Sequence, residues 1–132
     1  MKKILIVEDD KYLANALRVK LTHTGFDVKN AADGEEALKI VKEFFPDLIL
    51  LDLVMPVKDG FTVLKELKDN ENWKKIPVII ASNLGQKEDI DKGMALGAID
   101  YIIKSDISLH DLIIKIKKIL EWYGQIWQWK TV

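Results

Sequence analysis

The chain has 132 residues, with 20 Lys and Arg against 21 Asp and Glu, a formal charge of −1, 48% hydrophobic residues and no cysteine. That length suits one domain with a real core and is too short for a catalytic domain plus a separate binding domain. Balanced charge argues against a broad basic face for nucleic acid or anionic membrane, and the lack of thiols excludes disulfides, thiolate metal sites and cysteine nucleophiles.

The first apolar run, Ile4–Val7, falls far short of a signal-peptide core, and no segment approaches the roughly 20 apolar residues of a membrane span. A cytoplasmic location is the expectation. Leu13, Leu17 and Leu21, spaced i, i+4, i+8, predict a first helix ending near Gly25. A second apolar run, Phe26–Val28, follows. Asp33 and Glu36 have capping-box spacing and open a second helix, with Ala37, Leu38, Val41 and Phe45 facing inward and Pro46 as the stop. The third run is Leu48–Leu51, after which Asp59-Gly60 opens a third helix through Phe61, Leu64 and Leu67. Val78–Ala81 is the fourth run, and a fourth helix spans about Gln86 to Leu96 with Gly97 beyond it. Ile99–Ile103 is the fifth. Ser108 and Asp111, again at capping-box spacing, open a fifth helix through Leu112, Ile113, Ile116, Ile119 and Leu120.

Short apolar runs alternating with helices predict parallel βαβ units. The first, third and fourth runs are continuously apolar, as for central strands covered on both faces. The fold class is therefore α/β with a doubly wound parallel sheet.

In such sheets ligands bind beyond the carboxyl ends of the strands, near the point where strand order reverses. The residues found there are Glu8-Asp9-Asp10 after the first strand, Asp52 after the third, Ser82 and Asn83 after the fourth, and Lys104 after the fifth. Two like charges about 4 Å apart repel by about 4 kcal/mol at an intermediate dielectric, so converging carboxylates call for a cation. An oxygen-only donor set without Cys or nearby His favours Mg²⁺ or Mn²⁺ over zinc or copper. One carboxylate is then free to act otherwise. Asp52 can be a nucleophile toward phosphorus, with the metal, Lys104 and the Ser82 hydroxyl offsetting charge on the phosphoryl oxygens. Taken singly these signals are weak, because Asp9 or Asp10 is also an N-cap candidate for the first helix. His23 and His110 are surface candidates, far from this cluster.

From about Lys3 to Tyr123 the sequence resembles a response-regulator receiver domain of the chemotaxis-receiver type. The resemblance rests on Ile4-Leu5-Ile6-Val7-Glu8-Asp9-Asp10, on Leu51-Asp52-Leu53-Val54-Met55-Pro56-Val57-Lys58-Asp59-Gly60, on Ser82, and on Asp100-Tyr101-Ile102-Ile103-Lys104, in that order. It implies a flavodoxin-like (βα)5 fold with five parallel strands ordered 2-1-3-4-5. It also implies Asp52 as phosphoacceptor and Glu8 with Asp9 as the acidic pair for Mg²⁺, Asp9 being the direct ligand. The Val54 backbone carbonyl is a further implied ligand, Ser82 the switch hydroxyl, Lys104 the phosphoryl contact and Tyr101 the aromatic that swings inward. The implied function is a two-component phosphorelay step. A histidine kinase or histidine phosphotransfer protein donates the phosphoryl group, and the surface of the fourth helix, fifth strand and fifth helix selects an unknown downstream protein. By this resemblance the chain catalyses only its own phosphorylation and slow self-dephosphorylation; from the balanced charge, no direct contact to nucleic acid or membrane is expected.

Two positions depart from the family pattern. Ser105 stands where proline usually follows the Lys in a cis peptide; a non-proline cis bond costs roughly 2.5–4 kcal/mol, so a trans bond is expected. Asn83 replaces a small residue after Ser82 and can either narrow access to Asp52 or bond the neighbouring loop. Apolar Val54 and Leu84 flank the site at positions that tune phosphoryl lifetime in the family. Neither can orient a water, so a long-lived phosphoaspartate is expected. Residues 124–132 read as an aromatic extension of the last helix or a tail beyond a receiver domain at 1–123. Trp122, Trp127 and Trp129, with Tyr123 and Ile126, are candidates either to fold back or to form a homodimer. A phosphorylation-independent interaction domain of the same fold is the alternative reading, and an Asp-nucleophile phosphatase lacks a second acid where Val54 stands.

Overall fold

The computed structural model describes the backbone of residues 1–131 and the side chains of residues 1–123. Five strands alternate with five helices: β1 Lys3–Val7, α1 Lys11–His23, β2 Asp27–Ala31, α2 Gly34–Phe44, β3 Leu48–Leu51, α3 Gly60–Asp69, β4 Val78–Ser82, α4 Lys87–Ala95, β5 Asp100–Ile103 and α5 Leu109–Thr131, with a single 3₁₀ turn at Lys104–Asp106. All pairings are parallel, in the order β2-β1-β3-β4-β5. This is the expected doubly wound, flavodoxin-like sheet.

Alternation along the strands divides the core into two layers. Leu5, Val7, Ile49, Leu51, Val78 and Ile80 face α2 and α3, where Ala37, Val41, Val63, Leu64 and Leu67 meet them. Ile4, Ile6, Leu48, Leu50, Ile79 and Ile102 face α1 and α5, where Leu17, Leu21, Ile113 and Ile116 complete the second layer. Every residue of β1 beyond Lys3 and all of β3 and β4 is buried. Continuous apolar runs do mark the central strands, because helices cover both faces.

The helix signals hold in detail. Asp33 Oδ1 accepts the Glu36 N–H at 2.9 Å, while Glu36 reaches back to the Ala32 N–H, one residue before the cap. Ser108 Oγ accepts the Asp111 N–H at 3.0 Å at the start of α5. His23 and His110 are exposed. Two expectations need correction. The second strand lies at Asp27–Ala31 rather than Phe26–Val28: this edge strand alternates between exposed and half-buried residues up to buried Ala31 and shows no apolar run. Phe45 does not face inward: α2 ends at Phe44, which is buried, and Phe45 takes a left-handed cap conformation (φ 49°) that turns it out to 56% exposure.

At the far end, Trp122 is exposed and its ring meets that of Tyr123 edge-on at 5.7 Å. The remaining aromatic-stripe residues, Ile126, Trp127 and Trp129, lie outside the residues whose side chains are described.

Candidate functional site

The strand register brings the candidate residues to one edge. Val7 is level with Leu51, and Ser82 with Ile103, so Glu8, Asp52 and Lys104 each emerge just past a strand at the same end of the sheet. The Asp52 N–H donates to Val7 O at 3.0 Å and the Glu8 N–H to Ala31 O at 3.0 Å, fixing both backbones to neighbouring strands. Carboxylate oxygens of Glu8, Asp9 and Asp52 lie within 4.8 Å of one another, the only such acidic trio among the described residues. Glu8 and Asp52 are buried and Asp9 is exposed.

Asp10 caps α1: its Oδ1 accepts the N–H groups of Tyr12 and Leu13 at 3.0 and 3.2 Å. The capping alternative is thereby settled in favour of Asp10, and Asp9 stays with the trio.

Lys104 Nζ donates to Asp52 Oδ2 at 3.0 Å and to Glu8 Oε1. Burial pushes the Glu8 carboxyl above the usual carboxylate range, the Asp52 charge adds to this, and the bonds from Lys104 and the Asp10 N–H only partly offset it. For Lys104, burial acts downward, yet the bonds to Glu8 and Asp52 outweigh it and hold the ammonium above its ordinary range. Three carboxylates facing one ammonium leave negative charge to be neutralised. All the donors are oxygens, which fits a hard divalent cation such as Mg²⁺.

The loop after Asp52 is held close. Asp52 Oδ1 accepts the Leu53 N–H at 2.8 Å, and the Gly60 N–H returns to Leu53 O at 3.0 Å. A Cβ on Gly60 would lie 2.2 Å from Asp52 O, so only glycine permits this approach. Between them, Val57 has φ 69° while the Lys58 N–H bonds Pro56 O at 2.7 Å, the geometry of a γ-turn with positive φ on a β-branched residue.

Ser82 is fully buried, its Oγ accepting the Leu84 N–H at 3.2 Å. Tyr101 is half-buried: its ring packs beside Gly93 of α4 and its hydroxyl donates to Leu84 O. Burial pushes the Tyr101 phenol upward, with the Asp89 charge adding. No cis peptide bond occurs among the described residues, so Lys104–Ser105 is trans as expected. Asn83 bonds the neighbouring loop, its Oδ1 accepting the Ser105 N–H at 3.1 Å. Both residues depart from the family pattern, and the structure pairs them.

Residues 4–117 match the family described as "Response regulator receiver domain". The chain belongs to that family. Among relatives of this receiver domain, a probable transcriptional regulator ycf27 of Porphyridium aerugineum is 40% identical over 119 residues, covering 90% of this chain and 48% of the relative. The DNA-binding dual master transcriptional regulator RpaA of Synechocystis is 35% identical, with 91% and 49% covered. This receiver domain thus spans about half the length of these curated relatives. The solved receiver domain of Francisella response regulator 1452 superposes with TM-score 0.83 at 36% identity, covering 96% of this chain and 99% of that one. The exclusion of nucleic acid drawn from net charge finds no support in these names, since RpaA is named as DNA-binding. Among the described residues, no helix is long and apolar enough to cross a membrane.

Proposed function

We propose that this receiver domain takes a phosphoryl group onto Asp52 from a phosphohistidine of a sensor kinase or histidine phosphotransfer protein. The observation that carries the reading is the placement of buried Asp52, ion-paired to Lys104 at 3.0 Å and sharing an oxygen cluster with Glu8 and Asp9. Glu8, Asp9, Asp52 and the Val54 backbone carbonyl are the residues that would hold Mg²⁺, with Mn²⁺ as a substitute. A bound divalent ion supplies positive charge against the developing charge on the phosphoryl oxygens.

In the transfer, a carboxylate oxygen of Asp52 forms the bond to phosphorus, while the bond from phosphorus to the histidine nitrogen breaks and that nitrogen keeps the electron pair. Lys104, already bonded to Asp52, stays within reach of the incoming phosphoryl oxygens and neutralises part of their charge. The product carries more negative charge and more acceptor oxygens than the carboxylate it replaces. Ser82 then exchanges its bond with the Leu84 N–H for one to the phosphoryl group. Leu84 is also the residue whose carbonyl holds the Tyr101 hydroxyl, so a shift in this loop releases Tyr101 to pack inward. The surface of α4, β5 and α5 changes in consequence and selects a downstream protein. In this reading the domain occupies residues 1–123, residues 124–131 extend α5, and catalysis is limited to its own phosphorylation and slow dephosphorylation.

Incubation with acetyl phosphate and Mg²⁺ tests the reading by intact-mass measurement. A phosphoryl increment that is localised to Asp52 and absent from Asp52→Asn is expected. No increment in the wild-type chain would overturn the mechanism and favour a phosphorylation-independent interaction domain. Val54 and Leu84, 60% and 37% exposed, offer no polar group to orient an attacking water. The phosphoaspartate is therefore expected to persist well beyond seconds in the same experiment.

A further inference from the structure

Asn83 follows Ser82 directly at the end of β4, and Ser105 follows Lys104 directly at the end of β5. The two are 22 residues apart in sequence and joined by the bond from the Ser105 N–H to Asn83 Oδ1. A proline at 105 would have no N–H to give, so the contact depends on the residues at both positions of this chain.

Its location bears on Lys104. On the near side, Ile103 is paired in the sheet with Ser82. On the far side, Ser105 is held by Asn83. The residue before Lys104 and the peptide N–H after it are thus both tied to the end of β4, and between them begins the 3₁₀ turn Lys104–Asp106. A lysine side chain has four flexible carbons and a mobile ammonium. Fixing the backbone on both sides sets the direction in which its stem leaves, and this stem must bring Nζ to Asp52 and Glu8 together.

We propose that Asn83 is a positioning residue for Lys104, acting through the Ser105 N–H to hold the peptide from which the ammonium reaches Asp52. The inference rests on the reading of Asp52 as phosphoryl acceptor. It also makes the segments carrying Ser82 and Lys104 one body, so that movement at the switch hydroxyl is carried to the turn that leads into α5.

A mutant cycle of Asn83→Ala, Ser105→Pro and the double variant tests this. Phosphorylation rates are read against acetyl phosphate concentration at saturating Mg²⁺, and Ser105 amide exchange is read by NMR. The Asn83→Ala change is expected to speed exchange at Ser105 and to lower the rate constant at saturating donor about threefold, the effect of one exposed hydrogen bond. The half-saturating donor concentration stays unchanged. Asn83→Asp, with an acceptor oxygen in the same place, keeps the amide protected. In the Ser105→Pro background, Asn83→Ala has no further effect on the rate.

Additive effects, an unaltered Ser105 amide in Asn83→Ala, or a change in half-saturation alone would overturn the proposal, the last by making Asn83 a gate to the site. Should the wild-type chain take up no phosphoryl group, the reading of Asp52 falls separately. Ser105 exchange that still depends on Asn83 then sustains the clamp on Lys104, and exchange that does not overturns it.

Discussion

Helices α3 and α4 follow neighbouring strands of one sheet but are attached to it in different ways. The N-terminus of α3 is capped by Asp59, whose carboxylate accepts both the N–H and the hydroxyl of Thr62, and the helix buries Gly60, Val63, Leu64 and Leu67. In α4 the cap residue Gln86 makes no side-chain bond and Gly93 is the one buried residue. What holds α4 is the Lys92 ammonium 4.2 Å from the centre of the Phe61 ring and the Tyr101 ring lying against Gly93. The helix that follows Asp52 is thus part of the core, whereas the helix that follows Ser82 rests on it. Segments with few buried apolar contacts lie at the low-stability end of a fold. Under the proposed transfer to Asp52, a phosphoryl group making one to three charge-assisted bonds would move α4 before α3.

Two glycines offer the sharpest way to break this contrast. Gly60→Ala places a Cβ 2.2 Å from a backbone oxygen of Asp52, where nothing nearby is a flexible side chain. A loss of about 3 kcal/mol in urea unfolding is expected. Gly93→Ala places its Cβ against Ile80 Cδ1 at 2.5 Å and the Tyr101 ring at 3.3 Å, both side chains that can shift. Alanine also favours a helix interior by about 1 kcal/mol over glycine. The net change there is expected to stay within about 1 kcal/mol, and a larger loss than in Gly60→Ala would abolish the contrast.

The loop leading into α3 carries the next effect. Val57 adopts φ 69°, a region that L-residues occupy at a penalty and that β-branched residues rarely enter. Its side chain is 74% exposed, so little packing is at stake. Val57→Gly is expected to raise stability by about 1 kcal/mol, and a decrease in the urea midpoint would contradict the strain argument.

The smallest effect is the response to pH. Glu8 lies above its ordinary value of 4.5 because it is buried, so the folded chain holds this proton more tightly than the unfolded chain. Its contribution is present below 4.5 and is lost as pH rises through the raised value. Metal-free protein should lose a little stability across that window. Mg²⁺ needs the carboxylate, so its binding by calorimetry should weaken as pH falls through the same window. A Glu8→Gln variant should show neither trend.

The sequence made the central sheet legible because β1, β3 and β4 are buried on both faces and their apolar character is continuous. It served less well where one face meets water: β2, reading Asp27-Val28-Lys29-Asn30-Ala31, has no apolar run to announce it. Phe44 and Phe45 are equally apolar, and only the left-handed turn at the helix end decides which enters the core. The acidic site was legible from strand ends alone, since the fold class dictates where chains emerge. Residue type and spacing do not separate Asp9 from Asp10; the family resemblance does, and the hydrogen bonds at the start of α1 give Asp10 the cap. The contact between Asn83 and Ser105 depends on how two loops lie in space, and no spacing rule encodes that.

Lys104 divides its bonds between Glu8 and Asp52, two of the three carboxylates of the trio. One ammonium offsets only part of the charge of three carboxylates, so the pocket still attracts a cation but with two of its groups already engaged. A divalent ion arriving there meets carboxylates partly neutralised and partly committed, so loading resembles an exchange of partners more than the filling of a hole. If the proposed Mg²⁺ site is correct, such a trade would lower affinity, and occupancy would follow the surrounding concentration of the ion.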